Sequence, residues 1–316
     1  MAFRVLIAGG GTGGHVTPAL AIAEAISRKY PDAVIRFVGT NRGVEARMVP
    51  KAGYVLETIR VIALKRRPHL DWVRFPFILL ESFFGSLKCL REFRPHVLIC
   101  TGGYVCGPVG VVALLLGVPL VLHEANQYPG LTLRLLSRGA EYVFLSFPGA
   151  VRRMGGRRRK VVGTPIRKTM GRVDRSEARK QFGLDPGRQT LLITGASQGS
   201  VSMNQAVGEA LPILMRQDLQ VLWQVGQTDP APAQIAKNWP GRAMVVPFID
   251  DMAAAYSAAD VAVTRSGALT LTELAHIGLP AILIPLPWSA ENHQEHNARA
   301  LEEAGAGRVI LQADLD

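Results

Sequence analysis

Glycines and a histidine stand together near the start of the chain. Gly9-Gly10-Gly11-Thr12-Gly13-Gly14-His15-Val16-Thr17-Pro18 follows an apolar run and opens a helical pattern. Glycines at such a place let the backbone turn sharply and bring its N–H groups against a ligand. The helix N-terminus adds a partial positive charge worth about 0.3–1 kcal/mol toward an anion. His15 lies inside this loop, and an imidazole with an ordinary pKa of ~6.5 suits general-base work. Gly9, Gly11 and Gly14 also satisfy G-x-G-x-x-G, but a dinucleotide site wants an acidic residue at the end of the second strand. The chain has Thr40-Asn41 there, and it has no G-K-[ST] phosphate loop. The nicotinamide and ATP readings both fall.

Two more loops repeat the pattern: Thr101-Gly102-Gly103-Tyr104-Val105-Cys106-Gly107-Pro108 and Thr194-Gly195-Ala196-Ser197-Gln198-Gly199-Ser200. Each joins a strand to a helix, which suits two phosphorylated ligands, one per half of the chain. His123-Glu124-Ala125-Asn126 ends an apolar strand, where functional groups concentrate in α/β folds. Arg265-Ser266-Gly267-Ala268-Leu269-Thr270-Leu271-Thr272-Glu273 also runs from a strand into a helix. Glu273, near that helix's first turn, could accept hydrogen bonds from a ribose diol or offset the helix dipole. Asp250-Asp251 reads as a helix cap, with Asp250 able to cap Met252–Ala258, rather than as a metal pair.

The elements that must position these residues alternate from the first residue onward. Strands are expected at Phe3–Ala8, Val34–Gly39, Val97–Thr101 and Pro119–His123, with helices at Pro18–Lys29 and Gly107–Leu116. The pattern then restarts: strands at Thr190–Thr194, Gln220–Val225, Ala243–Pro247, Asp260–Thr264 and Pro280–Pro285, helices at Ser202–Leu214, Met252–Ala258 and Thr270–Ile277. Continuous apolar strands separated by helices predict parallel sheets covered on both faces, in two Rossmann-like halves. The boundary falls near Val161–Pro165, after the cluster Arg152-Arg153-Met154-Gly155-Gly156-Arg157-Arg158-Arg159-Lys160.

The 316 residues suit two domains, and 48% hydrophobic residues against 19% charged exclude wholesale disorder. The net charge of +11 is uneven: residues 1–160 carry 23 Lys/Arg against 9 Asp/Glu, and the remainder 13 against 16. The basic half is expected to meet something anionic. No helix-turn-helix, RNP or zinc-finger signature supports nucleic acid. Cys89, Cys100 and Cys106 form no C-x-x-C pair, which argues against disulfides and a cysteine zinc site. Val109–Leu122 is too short and broken for a membrane span of ~20 residues. The aromatic segment Trp72–Lys88, after Lys65-Arg66-Arg67, reads either as a core helix or as an apolar patch for an anionic bilayer.

The ordered blocks GGGTGGHVTP, GGYVCGP, HEAN…PGLT, GASQGS, FIDDMAAAYSAADV and RSGALTLTELAHIGLPAILIPLP together resemble the MurG family of bacterial UDP-N-acetylglucosamine transferases. The resemblance implies an α/β chain of GT-B fold, two Rossmann-like parallel-sheet domains facing an interdomain cleft. Residues 1–163 would form an acceptor domain that faces the membrane, and 164–316 a UDP-GlcNAc-binding domain without the one or two C-terminal helices usual in the family. The reaction implied is inverting transfer of GlcNAc from UDP-GlcNAc to the 4-hydroxyl of MurNAc in undecaprenyl-diphosphate-MurNAc-pentapeptide (lipid I), for peptidoglycan synthesis. It needs neither metal nor cofactor, and implies a peripheral enzyme on the cytoplasmic face of the cell membrane, with an anionic membrane surface as partner.

Carried over by motif, His15 is the base candidate, with Glu124 as the alternative. Thr12, Gly13 and Gly14 would lie beside sugar and diphosphate, Asn126 would reach donor sugar or acceptor, and Arg167 and Ser197 would assist the phosphates. Ile249 would offer its backbone to uracil, and Ala268, Leu269, Thr270, Leu271 and Thr272 would set a helix N-terminus under the diphosphate. Glu273 would bind ribose and Gln294 the GlcNAc hydroxyls. Two positions depart from the family pattern: Ala125 replaces the Gln of HEQN, and Ala196 stands where glycine is common. Rival readings are a diacylglycerol transferase of the same fold, a hydrolysing or epimerising UDP-GlcNAc enzyme, and a UDP-sugar-binding protein with impaired catalysis.

Overall fold

The computed structural model describes residues 2–61, 71–196, 199–227 and 231–315. Ser197, the run Lys65-Arg66-Arg67 and the side chain of Trp72 lie outside the described residues. The chain divides into two compact units, Met1–Arg167 and Lys168–Asp316, four residues beyond the expected boundary.

The first unit runs β1 (Arg4–Ala8), α1 (Gly13–Lys29), β2 (Val34–Gly39), α2 (Glu45–Lys51), β3 (Val55–Thr58), α3 (Asp71–Phe93), β4 (Val97–Cys100), α4 (Cys106–Leu115), β5 (Leu120–Glu124), α5 (Leu131–Leu136), β6 (Tyr142–Leu145) and β7 (Arg158–Val161). Its strands form a sheet in the order β3-β2-β1-β4-β5-β6-β7, parallel at every pairing. Alternate residues go to opposite faces, and both faces are apolar. Leu6, Ala8, Leu98, Cys100, Leu120 and Leu122 join one core, while Val5, Ile7, Ile35, Phe37 and Ile99 join another. A sheet buried on both sides permits this run of apolar residues without polar alternation.

The second unit runs α6 (Arg175–Gln181), β8 (Gln189–Thr194), α7 (Val201–Leu214), β9 (Leu219–Gln224), α8 (Ala231–Ala236), β10 (Ala243–Val246), α9 (Met252–Ala258), β11 (Val261–Thr264), α10 (Ala268–Ile277), β12 (Ala281–Leu283), α11 (His293–Glu303) and β13 (Gly307–Val309). The strand order is β10-β9-β8-β11-β12-β13, again parallel at every pairing.

Three local expectations are corrected. Helix α1 starts at Gly13 and carries Pro18 in its interior, because the Thr12 carbonyl already accepts from the N–H groups of His15 and Val16 at 3.2 Å. His15 therefore stands on the first turn of a helix rather than in the loop before it. The cap of α9 is Asp251, whose Oδ1 accepts from Ala254 N–H at 2.9 Å, and not Asp250. Part of the basic cluster before the boundary is the edge strand β7, exposed along its whole length. Arginine and lysine on an open edge deter pairing with another chain.

One ionic knot secures the second unit. Asp260 accepts from Arg179 Nη2 at 2.6 Å, from Arg175 Nη1 at 2.8 Å and from Thr190 N–H at 2.7 Å. Arg179 is buried and also donates to the carbonyls of Ala258 and Pro186. Removing the acid leaves a buried guanidinium without its counter-charge. Asp260→Ala is expected to lower unfolding stability by about 3 kcal/mol, as measured by urea denaturation followed by tryptophan fluorescence. A loss under about 1 kcal/mol, the range of a surface pair, would contradict this reading.

Candidate functional site

In the first unit β1, β4 and β5 lie side by side and parallel, so their carboxyl ends share one edge of the sheet. The chain order reverses between β1 and β4, the position where open α/β sheets bind ligands. The loops after β1 and β4 meet there. Gly10 N–H donates to the Gly102 carbonyl at 3.3 Å, and Thr101 Oγ1 donates to the His15 carbonyl at 2.9 Å. A Cβ on Gly103 would stand 2.3 Å from the Gly10 carbonyl oxygen, and one on Gly102 2.4 Å from His15 Nδ1. Glycine is required at both, and both also have positive φ, 87° and 116°.

His15 Nδ1 lies 3.2 Å from the Thr101 carbonyl oxygen. A carbonyl only accepts, so Nδ1 carries the proton and the neutral imidazole has its lone pair on Nε2. Thr12 is the exposed N-cap of α1, and Gly13 and Gly14 form its first two positions without acidic residues in the turn. A Cβ on Gly13 would meet nothing within 4 Å, so no neighbour among the described residues demands glycine there.

Glu124 ends β5 and is buried. Its Oε1 accepts from Asn126 N–H at 2.9 Å and Asn126 Nδ2 at 3.1 Å, and its Oε2 from Gly130 N–H at 3.0 Å. Burial pushes its carboxyl up to about 7 against those bonds. The carboxylate thus organises the turn that presents Asn126. Neighbouring His123 is buried, its Nε2 3.2 Å from the Gly163 carbonyl, and burial pushes it down to about 4.

In the second unit, α10 begins after Gly267 with no side-chain cap and no acid in its first turn, across Ala268, Leu269, Thr270 and Leu271. Thr272 Oγ1 is turned back onto the Ala268 carbonyl at 2.9 Å. Glu273 lies one turn in, where Tyr256 OH donates to its Oε2 at 3.1 Å. Burial pushes Glu273 up to about 7, with the tyrosine bond working the other way. Gln294 is on α11, its Oε1 accepting from Leu286 N–H at 3.0 Å, and the Gln294 carbonyl accepts from Ser266 Oγ at 2.8 Å. Ile249 is buried beyond β10. Arg167 closes the first unit with its Nε buried and, among the described residues, without a hydrogen-bond partner. Ala196 takes φ +66°, a left-handed conformation that costs a non-glycine residue about 1–2 kcal/mol.

Two organising residues escaped the sequence reading. Glu45 is fully buried and accepts from Gly11 N–H, Thr40 N–H and Thr40 Oγ1. Arg265 is buried and donates to the carbonyls of Ile284 and Pro285, to Ser200 Oγ and to Gln312 Oε1. It ties the ends of β8, β11 and β12 together. The spacing of glutamate and arginine in these motifs gave no periodic signal, because their partners lie far away in sequence. Among the described residues no three His, Cys, Asp or Glu side chains form a metal-holding group.

Helix α3, which carries the aromatic segment, has one buried and one exposed face. Phe77, Leu80 and Phe84 form an exposed stripe at helical spacing, while Ile78, Ser82, Ser86, Cys89, Leu90 and Phe93 are buried. No helix among the described residues is long and apolar enough to cross a membrane.

The glycosyltransferase family 28 N-terminal domain matches residues 5–145, and the family 28 C-terminal domain matches residues 190–316. The UDP-N-acetylglucosamine--N-acetylmuramyl-(pentapeptide) pyrophosphoryl-undecaprenol N-acetylglucosamine transferase of Ruminiclostridium cellulolyticum is 39% identical over 318 residues, covering 99% of this chain and 87% of the relative. The enzyme of the same name from Nocardioides sp. is 44% identical over 319 residues, covering 99% and 86%. The crystal structure of Acinetobacter baumannii MurG superposes with a TM-score of 0.77 at 30% identity, over 98% of this chain and 86% of that one. The two parallel sheets are those of the GT-B fold. By whole-length sequence similarity and by fold, this chain belongs to glycosyltransferase family 28, among the MurG-type N-acetylglucosamine transferases.

Proposed function

We propose that this chain transfers GlcNAc from UDP-GlcNAc to the 4-hydroxyl of MurNAc in undecaprenyl-diphosphate-MurNAc-pentapeptide, with inversion at the anomeric carbon. The observation that carries the reading is the similarity to transferases of that name along 99% of the chain. The first unit binds the acceptor and the second binds the donor. The acceptor oxygen forms a bond to C1 of GlcNAc as the C1–O bond to the diphosphate breaks, and UDP leaves with that bond's electron pair. His15 Nε2 takes the hydroxyl proton. The Thr101 carbonyl supports this role because it keeps Nδ1 protonated and would stabilise the imidazolium that forms.

The departing diphosphate is stabilised by the N-terminus of α10 at Ala268–Thr272, by Arg167 and by Ser197. The uncapped helix start supports this, as does the unpartnered Nε of Arg167. Buried Arg265, whose hydrogen-bond partners among the described residues are all neutral, adds a positive field at the same edge. Ile249 offers its backbone to uracil, Glu273 accepts from the ribose diol and Gln294 holds GlcNAc hydroxyls. Thr12, Gly13, Gly14 and Asn126 contact acceptor and sugar. Glu124 is assigned to holding Asn126 rather than to proton transfer, since its carboxyl oxygens already accept from Asn126 and Gly130. The exposed stripe Phe77, Leu80 and Phe84 rests on an anionic membrane at the cytoplasmic face, beside a unit rich in arginine.

UDP release from UDP-GlcNAc is expected only when a lipid I analogue is present, matched mole for mole by disaccharide product. Release without acceptor would favour a hydrolase or epimerase, and transfer to diacylglycerol would favour the rival transferase. His15→Ala is expected to slow transfer by about 10²–10⁴-fold while UDP-GlcNAc affinity stays unchanged, as titrated by calorimetry. Near-normal turnover would remove His15 as the base. Burial pushes the Glu273 carboxyl up to about 7, and its ionised form is the better acceptor for a diol. Donor affinity is therefore expected to rise between about pH 6 and pH 8, and Glu273→Gln to flatten that rise. A rise that persists in the variant would contradict the ribose assignment.

A further inference from the structure

We propose that Glu45 is a positioning residue for the acceptor side of the reaction: its buried carboxylate fixes the loop Gly9–Thr12 in the shape that lets His15 and the start of α1 meet the acceptor. This rests on the reading of the first unit as the acceptor-binding unit.

Three glycines at separate places in the chain surround this one carboxyl group. A Cβ on Gly10 would stand 2.6 Å from Glu45 Oε1, one on Gly39 2.6 Å from Glu45 Cγ, and one on Gly43 2.1 Å from Glu45 Oε2. None of the three has positive φ, so backbone conformation does not require glycine at any of them. What requires it is the space taken by Glu45. The socket joins the end of β1, the end of β2 and the start of α2.

The groups in the socket call for an acceptor with two oxygens. Oε2 takes Gly11 N–H at 2.9 Å, while Oε1 takes Thr40 N–H at 3.0 Å and Thr40 Oγ1 at 2.7 Å. Thr40 Oγ1 in turn accepts from Gly43 N–H at 3.0 Å, so its own proton is committed to the carboxylate. An amide in place of the carboxylate would turn an NH₂ group toward one of these donors. Burial alone would raise the Glu45 pKa, but the donated bonds from its own N–H, Gly11 and Thr40 hold it below the usual value. The group is therefore a carboxylate across the neutral range.

The link to chemistry runs through Gly11. That residue has φ +86°, and the Tyr104 ring lies 3.3 Å from where its Cβ would be. Glu45 holds the Gly11 N–H, and one residue later Thr12 caps the helix that carries His15. With the loop turned at Gly11, His15 Nδ1 reaches the Thr101 carbonyl and Gly10 reaches Gly102. Release of the Gly11 N–H frees the turn, and a shift of about 1 Å in a reacting group costs up to about 100-fold.

The test is steady-state transfer with a lipid I analogue and UDP-GlcNAc by the whole chain. Glu45→Gln, which keeps the shape and removes the charge, is expected to lower acceptor kcat/KM by about 10–100-fold. The KM for UDP-GlcNAc should stay within about twofold. Gly10→Ala, which drives a methyl group into the carboxylate, should give the same acceptor-side loss. The double variant should be no worse than the weaker single one, because both break one interaction. Wild-type acceptor kinetics in Glu45→Gln, an equal loss on both substrates, or strictly additive losses would each overturn the proposal. Should Glu45→Gln fail to fold, Gly10→Ala decides alone by the same acceptor-to-donor split. Failure of the underlying reading looks different: there His15→Ala retains turnover, whatever Glu45 does.

Discussion

The hydrogen bond between His15 Nδ1 and the Thr101 carbonyl is the contact on which the first unit's site depends. It joins the start of α1 to the end of β4, and it settles which imidazole nitrogen holds the lone pair. Its geometry exists only because Gly102 and Gly103 have no side chains where His15 and Gly10 approach. It also needs β1 and β4 to be parallel neighbours, in register from Val5 with Val97 to Ala8 with Cys100. A slip of one residue would turn the apolar strand faces over and separate the two loops. The doubly covered sheet is thus the condition for the hydrogen bond, and the hydrogen bond is the condition for the base proposed at that edge.

Each unit sets its loops around a buried charge, and the two units use opposite signs. In the first, Glu45 and Glu124 gather backbone N–H groups. In the second, Arg265 gathers carbonyl, hydroxyl and amide oxygens. Buried ions held by neutral dipoles are costly unless well satisfied, and here each is placed where one group fixes several turns at once. The negative charge in the first unit is occupied by N–H groups from beneath the loop. In the second unit the positive field suits the nucleoside diphosphate proposed as its ligand. The basic charge of the first half has a different basis: part of it, Arg158, Arg159 and Lys160, lies exposed along the edge strand β7 rather than in the loops.

Much of this was legible from the residues. The strands announce themselves as apolar runs, and Val34–Gly39 and Met252–Ala258 are where the pattern predicts them. The glycine loops and His15 are equally plain, since they are local. Less legible are elements whose reason is distant. Glu45 sits in a polar stretch, Arg42-Gly43-Val44-Glu45, and its partner Gly11 is 34 residues away. Arg265 reaches Ser200 and Gln312 across 65 and 47 residues. Strand β7 carries Arg158, Arg159 and Lys160 and so hides behind its charge. Pro18 favours a first helical turn and so points to a later start for α1, whereas the Thr12 carbonyl begins the helix five residues earlier. Ala196 was visible as a departure from glycine, but only its φ of +66° gives that departure a cost.

The most direct test of the account is the tautomer of His15, read by long-range ¹H–¹⁵N correlation of its ring in the neutral state. The account predicts a protonated Nδ1 and an unprotonated Nε2, with the pattern lost when Gly102→Ala pushes a methyl group against the ring. A ring protonated at Nε2 in the wild-type chain would contradict it, because the lone pair would then face the Thr101 carbonyl and His15 could not receive the acceptor's proton at Nε2.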